Sequence, residues 1–190
     1  MTAGCACTLM LISEIDGFIE AEMRGTPVAC RKGCSWCCHQ LVVLTCREDG
    51  RRILGAARAR MAAAEFAAFD ARVRDQAAAI AGIGHEAAEA GRWPCPLLRN
   101  NSCVVYDVRP VACRSVFSPD ADTCKAMMEA DGFEDLTPPQ QALATEIGER
   151  AFRLQVAIND RRPVDGPLEL RQLLVELLDE ELAGRRVPPG

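Results

Sequence analysis

The stretch CRKGCSWCCHQ, residues 30–40, places four cysteines within nine positions of a 190-residue chain. Such crowding has three ordinary explanations: disulfide bonds, a thiol active site, or a bound metal. A single buried cysteine behaves as a small apolar side chain, but packing alone does not explain four thiols this close together. The rest of the chain has to decide among the three explanations.

The composition and the N-terminal segment argue against disulfides. The chain is 49 % hydrophobic and 26 % charged, so it is typical of a globular domain that folds without crosslinks. No basic residue precedes Arg24, and the apolar segment TLMLI at 8–12 therefore lacks the charged region that opens an export signal. We expect a cytoplasmic protein with reduced thiols, and the odd total of 11 cysteines fits no complete set of internal disulfides.

Charge and hydropathy exclude two classes of partner. The formal net charge of -5 argues against a nucleic-acid binder, which normally presents a basic face. No apolar run approaches the roughly 18 residues that are needed to cross a bilayer. We therefore expect no nucleic acid and no membrane as partner, and a protein partner or protein substrate instead.

Most of the chain has the apolar periodicity of helices. Thr45 followed by Glu48 is typical of a capping box, Thr137 followed by Pro138 indicates a helix start, and Gly184 lies where a C-terminal cap is expected. We predict a mainly α fold, a single helical domain with a small β-hairpin or loop segment that carries the second group of cysteines. The predicted extents are 1–190 for the domain, 28–126 for the cysteine-cluster core, 8–24 for an N-terminal helix and 138–184 for C-terminal helices.

The predicted hairpin lies in the segment PCPLLRNNSCVVYDVRPVACR, residues 94–114. Its Pro, Asn and Ser residues separate two short apolar runs, which predicts a turn at Arg99–Ser102. Arg109-Pro110 then starts a short helix that carries Cys113. The cysteines here and just beyond are separated by eight, ten and eleven positions, and they form the second group of thiols.

A metal explains both groups if the fold brings them together. At about 100° per residue, a helix over 30–38 would put its four thiols on one stripe, and a tight loop around Gly33 would also gather them. The neighbours Cys37 and Cys38 should diverge, so that either one of them is a bystander or the region holds more than one ion or a cluster. Cys5, Cys7 and Cys46 fall outside the pattern. The candidate metal ligands are Cys30, Cys34, Cys37, Cys38, Cys95, Cys103, Cys113 and Cys124.

Thiolate-rich sites select zinc or iron–sulfur clusters. Zinc sites often include histidine, whereas the chain contains only His39 and His85. Cys95-Pro96 matches the Cys-Pro that follows a cluster ligand in bacterial ferredoxins. Five basic residues flank the thiols and either offset thiolate charge or pair with surface carboxylates: Arg31, Lys32, Arg99, Arg109 and Arg114.

A thiol enzyme is the weaker explanation. CSWC at 34–37 has the C-x-x-C spacing of thioredoxin-like sites, but those sites need a βαβ setting that this sequence does not show. A Cys–His dyad that uses His39 is disfavoured, because immediate neighbours seldom point at each other. The sequence therefore favours metal binding.

With both groups in view, the chain resembles the CxxxCxxCC cysteine-cluster family of zinc- or iron-chelating domain proteins. The resemblance is carried by CRKGCSWCC at 30–38, CPLL at 95–98 and CVVYDVRPVACR at 103–114. It implies that the first seven candidate cysteines are ligands and that Cys124 is an eighth. It also implies that four neighbours shape the site: Tyr106, Arg109, Pro110 and Arg114.

Three functions remain open. The favoured one is an iron–sulfur protein, with a 4Fe-4S cluster, in electron transfer or in support of a modification reaction. The second is a zinc-stabilised protein-interaction module. The third is a cluster-containing enzyme similar to protein N-methyltransferases, since flagellin lysine N-methylase contains a similar cysteine cluster. Against the third, the sequence shows no glycine-rich strand–turn–helix motif for a methyl donor.

Overall fold

The computed structural model describes residues 12–39, 42–83, 87–88, 91–161 and 168–186, and its fold is mainly α, as the sequence predicts. The helices are α1 (Ile12–Glu22), α2 (Arg47–Arg60), α3 (Ala63–Ile80), α4 (Val111–Ser115), α5 (Ala121–Glu129), α6 (Pro138–Arg161) and α7 (Leu170–Arg186). The strands are β1 (Leu44–Thr45), β2 (Leu98–Arg99), β3 (Ser102–Cys103) and β4 (Leu168–Glu169). Within the described ranges, no helix is both long and apolar enough to cross a membrane.

The chain divides into two compact units, each assembled from two stretches of sequence. The first unit consists of residues 1–30 and 111–167, and the second consists of residues 31–110 and 168–190. The extents that the sequence predicts for the domain and for its cysteine-cluster core stay predictions.

Helices α2, α3 and α7 build the core of the second unit. Their apolar stripes supply side chains that are at most 1 % exposed, among them Ile53, Phe69 and Leu173. Strand β1 pairs antiparallel with β4, with Thr45 opposite Leu168. Burial of apolar surface at helical spacing is what holds these helices together.

The hairpin of the second unit turns where the sequence predicts. Strands β2 and β3 are antiparallel, with Leu98 opposite Cys103. Asn100 and Asn101 have φ angles of 47° and 55°, in the left-handed region that asparagine tolerates better than most residues. Two such residues form the tight turn that matches the twist of a hairpin, and this turn places Cys103 on β3.

In the first unit, α1 packs against α6. Ile15, Ile19 and Met23 of α1 form a buried cluster with Ile158 of α6. The predicted start of α6 is confirmed, because Thr137 N–H donates to Gln140 Oε1 at 2.9 Å just before the first helical residue, Pro138.

Two predicted helix ends are wrong. Thr45 lies in β1, and Cys46 occupies the N-terminal cap of α2 without a side-chain capping bond. Strand pairing with Leu168 thus overrides the local capping pattern. Gly184 lies within α7, which continues to Arg186. Of the predicted N-terminal helix, residues 8–11 lie outside the described part of the chain.

Candidate metal centre

The first cysteine segment is a turn rather than a long helix. Gly33 has a φ of 95°, and Cys34 N–H donates to the Arg31 carbonyl at 2.9 Å. Only Trp36–His39 is helical, as a short 3₁₀ turn. The helical alternative for residues 30–38 is therefore wrong, because the left-handed backbone at Gly33 interrupts it.

Within the second unit, four cysteines from three segments lie close enough to act on one another by hydrogen bonding or electrostatics. Cys37 and Cys38 come from the 3₁₀ turn, Cys95 from the segment before β2, and Cys103 from β3; we call them the four-thiol group. The Cys95 N–H donates to the Cys38 carbonyl at 2.7 Å. That bond ties the second segment to the first.

The neighbours Cys37 and Cys38 converge instead of diverging. The Cys38 thiol donates a hydrogen bond to the Cys37 sulfur and, with a smaller contribution from the positive charge of Arg109, lowers the pKa of Cys37 from 9.0 to about 7. Near neutral pH, a substantial fraction of Cys37 is therefore in the thiolate form, the form that binds metals.

The other two thiols of the group hold their protons more tightly. Burial raises the pKa of the Cys95 thiol from 9.0 to about 11. Burial also raises the pKa of Cys103, although the guanidinium of Arg109 acts in the opposite direction. A metal that binds here must displace these protons, which makes binding depend on pH.

Arg109 is a cation that acts on two thiols of the four-thiol group. Its guanidinium lies 3.8 Å from the centre of the Tyr106 ring, and its charge acts on Cys37 and Cys103. Stacking on an aromatic ring holds an arginine in a defined place. The site-shaping roles that the resemblance implies for Arg109 and Tyr106 stay predictions.

Two of the other flanking arginines pair with carboxylates. In the second unit, Arg99 pairs with Glu65 at 2.6 Å. In the first unit, the buried Arg114 pairs with Asp16 at 2.5 Å. For these two residues the surface-carboxylate alternative is correct.

In the first unit, Cys30 lies against the loop that joins α4 to α5. Its sulfur accepts a hydrogen bond from Ser118 N–H at 3.3 Å. The helices on either side of this loop carry the other two candidates of the unit, Cys113 on α4 and Cys124 on α5. Ligand roles for all eight candidate cysteines stay predictions.

The remaining cysteines and histidines are placed as follows. Cys46 is buried at the start of α2, and His39 ends the 3₁₀ turn. Cys5, Cys7 and His85 lie outside the described residues.

The sequence analysis missed Arg171, a charged residue in the first turn of α7 that is only 1 % exposed. A signal was present, because Arg171 stands between the core positions Leu170 and Leu173. A buried arginine needs hydrogen-bonding partners, but an apolar stripe does not reveal where those partners are.

The chemistry of the donor set fits a thiophilic metal. None of the cysteines that the structure describes is in a disulfide bond, and all of these residues but Cys46 are partly exposed. Sulfur donors without disulfide partners favour zinc and iron–sulfur clusters. Among the described residues, no group of three or more His, Cys, Asp or Glu side chains is arranged to hold a metal ion. The agreement with a thiophilic metal therefore rests on the chemistry of the sulfur donors.

Comparison with known proteins supports the same chemistry. Residues 29–131 match the model of the CxxCxxCC family, whose description is "Putative zinc- or iron-chelating domain". This match covers more than half of the chain and includes all eight candidate ligands, so the chain belongs to this family. Three residues separate Cys30 from Cys34, whereas the family name CxxCxxCC has two residues between its first two cysteines. No curated protein and no solved structure gives a significant match.

Proposed function

We propose that this member of the chelating-domain family is an iron–sulfur protein that transfers electrons to or from a protein partner. The observation that carries the proposal is the convergence of four thiols from three segments beside the Arg109 guanidinium. When bound, an iron–sulfur cluster supplies a centre that takes up and releases single electrons.

The donor atoms of the four-thiol group suit an iron–sulfur cluster. Cys37 and Cys38 present two sulfurs in hydrogen-bond contact, and Cys95 and Cys103 supply two more. The donors of the four-thiol group are sulfur only, which is the usual ligand set of such clusters.

Charge at the site supports the same proposal. Several thiolates around one centre carry excess negative charge, and Arg109 is held beside them by its stacking on Tyr106. A fixed cation stabilises the thiolate form. It also raises the reduction potential of a nearby cluster, since the reduced state is the more negative one.

Zinc is the second candidate, and one observation favours it. The four thiols lie in a 3₁₀ turn, an irregular segment and a two-residue strand. Such segments have little regular hydrogen bonding of their own, and a tetrahedral zinc bound by four cysteines would hold them together. In that case the protein would be an interaction module rather than an electron carrier.

The deciding experiment is metal and sulfide analysis of protein purified without air and without a metal-binding tag. We expect iron, acid-labile sulfide and a brown visible spectrum. Near-stoichiometric zinc in colourless protein would replace the first proposal by the second. Protein that binds neither iron nor zinc, even after anaerobic reconstitution, would overturn both.

A matched pair of variants locates the site. We expect Cys37→Ser to abolish the visible absorption and Cys46→Ser to leave it unchanged. Cys46 is a fair control, because it is buried outside the four-thiol group, and serine is well suited to the N-terminal cap that it occupies. An unchanged spectrum in Cys37→Ser would remove Cys37 from the ligands.

A further inference from the structure

We propose that Arg171 is a positioning residue for Cys95: it holds the segment before Cys95 so that this thiol enters the four-thiol group in a fixed place. This inference concerns the site of the proposed metal function and rests on it. Arg171 lies outside the part of the chain that matches the family model, residues 29–131.

The Arg171 guanidinium makes three hydrogen bonds to three different parts of the second unit. Nε donates to Gln76 Oε1 at 2.9 Å, Nη1 to Glu169 Oε1 at 2.7 Å, and Nη2 to the Trp93 carbonyl at 2.8 Å. The side chain thus joins α3, β4 and the segment that leads to Cys95.

The segment 93–96 needs such external donors because of its sequence, Trp-Pro-Cys-Pro. Pro94 and Pro96 have no backbone N–H, so the segment cannot join a regular strand ladder. Side chains bind its carbonyls instead. Arg171 binds that of Trp93, and Gln76 Nε2 donates to that of Pro94 at 2.9 Å.

Cys95 directly follows the two residues whose carbonyls accept these hydrogen bonds. Its own N–H donates to the Cys38 carbonyl at 2.7 Å, and the Arg171 guanidinium is near enough to act electrostatically on its thiol. The Trp93 carbonyl, the Pro94 carbonyl and the Cys95 N–H are therefore each bound by a hydrogen bond. The first two bonds come from Arg171 and from Gln76, the residue to which Arg171 is bound.

The cost of burying Arg171 indicates that its role is not simply stability. Glu169, which is 8 % exposed, balances the charge. A buried ion pair is nevertheless a weak source of stability, and a well-packed apolar side chain often replaces one without loss. An apolar residue would suit the core around Leu170 and Leu173, but it could not bind the Trp93 carbonyl.

The first test uses metal-free protein under reducing conditions, and it compares Arg171→Met with Arg74→Met. Arg74 is a matched control, since it also joins α3 to α7, through Asp70 and Asp179, but it does not contact the Cys95 segment. We expect Arg171→Met to increase deuterium uptake in residues 93–98 and Arg74→Met to leave it unchanged. Equal uptake in the two variants would overturn the proposal.

The second test measures zinc affinity by competition with a chromophoric chelator. We expect Arg171→Met to weaken binding about 10- to 100-fold, the usual effect of removing a residue that orients a ligand. Arg171→Lys should recover part of the loss. Adding Arg171→Met to a Cys95→Ser variant should cause no further loss, because Arg171 acts through Cys95; additive losses would contradict this.

The two tests distinguish failure of the positioning role of Arg171 from failure of the proposed metal function. A further variant covers the case in which Arg171→Met does not fold. Wild-type protein that binds no metal would overturn the proposed function, while deuterium uptake would still decide the role of Arg171. If Arg171→Met does not fold, Gln76→Ala decides, because it removes the donor to Pro94 and one acceptor of Arg171. Unchanged uptake over residues 93–98 in that variant would overturn the positioning role.

Discussion

Cys37 and Cys95 belong to the same four-thiol group but differ strongly in acidity. The hydrogen bond from Cys38 and the charge of Arg109 favour the thiolate of Cys37, whereas burial favours the protonated form of Cys95. If the proposed metal function holds, we predict different roles for the two thiols. Cys37 would make the first bond to the metal, and Cys95 would bind only when its proton is displaced.

We predict that iodoacetamide modifies Cys37 of the metal-free protein before Cys95, since the thiolate is the reactive form. The rate at Cys37 should rise with pH around a midpoint near 7, and the rate at Cys95 around a midpoint near 11. At neutral pH, Cys37 should react on the order of 100-fold faster or more. Mass spectrometry of peptides from a pH series measures both rates.

The Cys38→Ala variant is the control for this prediction. It removes the donor that favours the Cys37 thiolate, so the midpoint for Cys37 should move up towards the ordinary value of 9.0. A midpoint that stays near 7 would assign the low pKa to backbone hydrogen bonds of the turn and to Arg109 instead. Labelling of Cys95 ahead of Cys37 would contradict the assignment of both environments.

At the scale of elements, the contact between α2 and α7 depends on a glycine. A Cβ atom at Gly50 would come within 2.8 Å of Leu177 Cδ1 and 2.9 Å of Leu173 Cδ2. Both leucines are buried, so they have little room to move. Gly55, on the same helix, has nothing within 4 Å of its own Cβ position.

We predict opposite effects for alanine at these two glycines. Gly55→Ala should raise the free energy of unfolding by about 0.5–1 kcal/mol, because alanine favours the helix. Gly50→Ala gains the same preference but overpacks the helix contact, so it should lower the free energy of unfolding by about 1–2 kcal/mol. Urea unfolding followed by circular dichroism measures both; equal stabilisation would show that α2 does not approach α7 so closely.

At the scale of the whole molecule, the buried residues of the helical core and the candidate metal ligands are different residues. The core of the second unit comes from α2, α3 and α7, whereas its five candidate ligands, Cys34 and the four-thiol group, lie outside the α-helices. The core side chains are buried without help from a metal. The helices should therefore survive its removal.

We predict that complete metal removal by a chelator leaves the far-ultraviolet circular dichroism nearly unchanged. Deuterium uptake should increase instead in the thiol-bearing stretches, residues 34–39 and 93–104. A cooperative loss of helicity would indicate a structural zinc on which folding depends. That outcome would favour the interaction module over the electron carrier.

Sequence patterns predicted the helices, the hairpin and the family because each of these depends on residues that are close together in the sequence. Apolar spacing indicates a buried helix face, as at Leu173 and Leu177, and paired asparagines indicate a tight turn. Cysteine spacing carries the family resemblance. The pattern at Thr45 failed because strand pairing, a contact with a distant residue, decided its conformation.

By itself, the sequence determined a mainly α chain with a thiol-rich, metal-chelating family motif. Only the tertiary structure decided that the four-thiol group shares one region beside Arg109. It also decided that Arg99 and Arg114 form ion pairs with carboxylates. It also decided that Arg171 holds the segment of Cys95. The reason is that side-chain spacing is local, whereas burial, charge pairing and the hydrogen bonds of a proline-flanked segment depend on residues far apart in the chain.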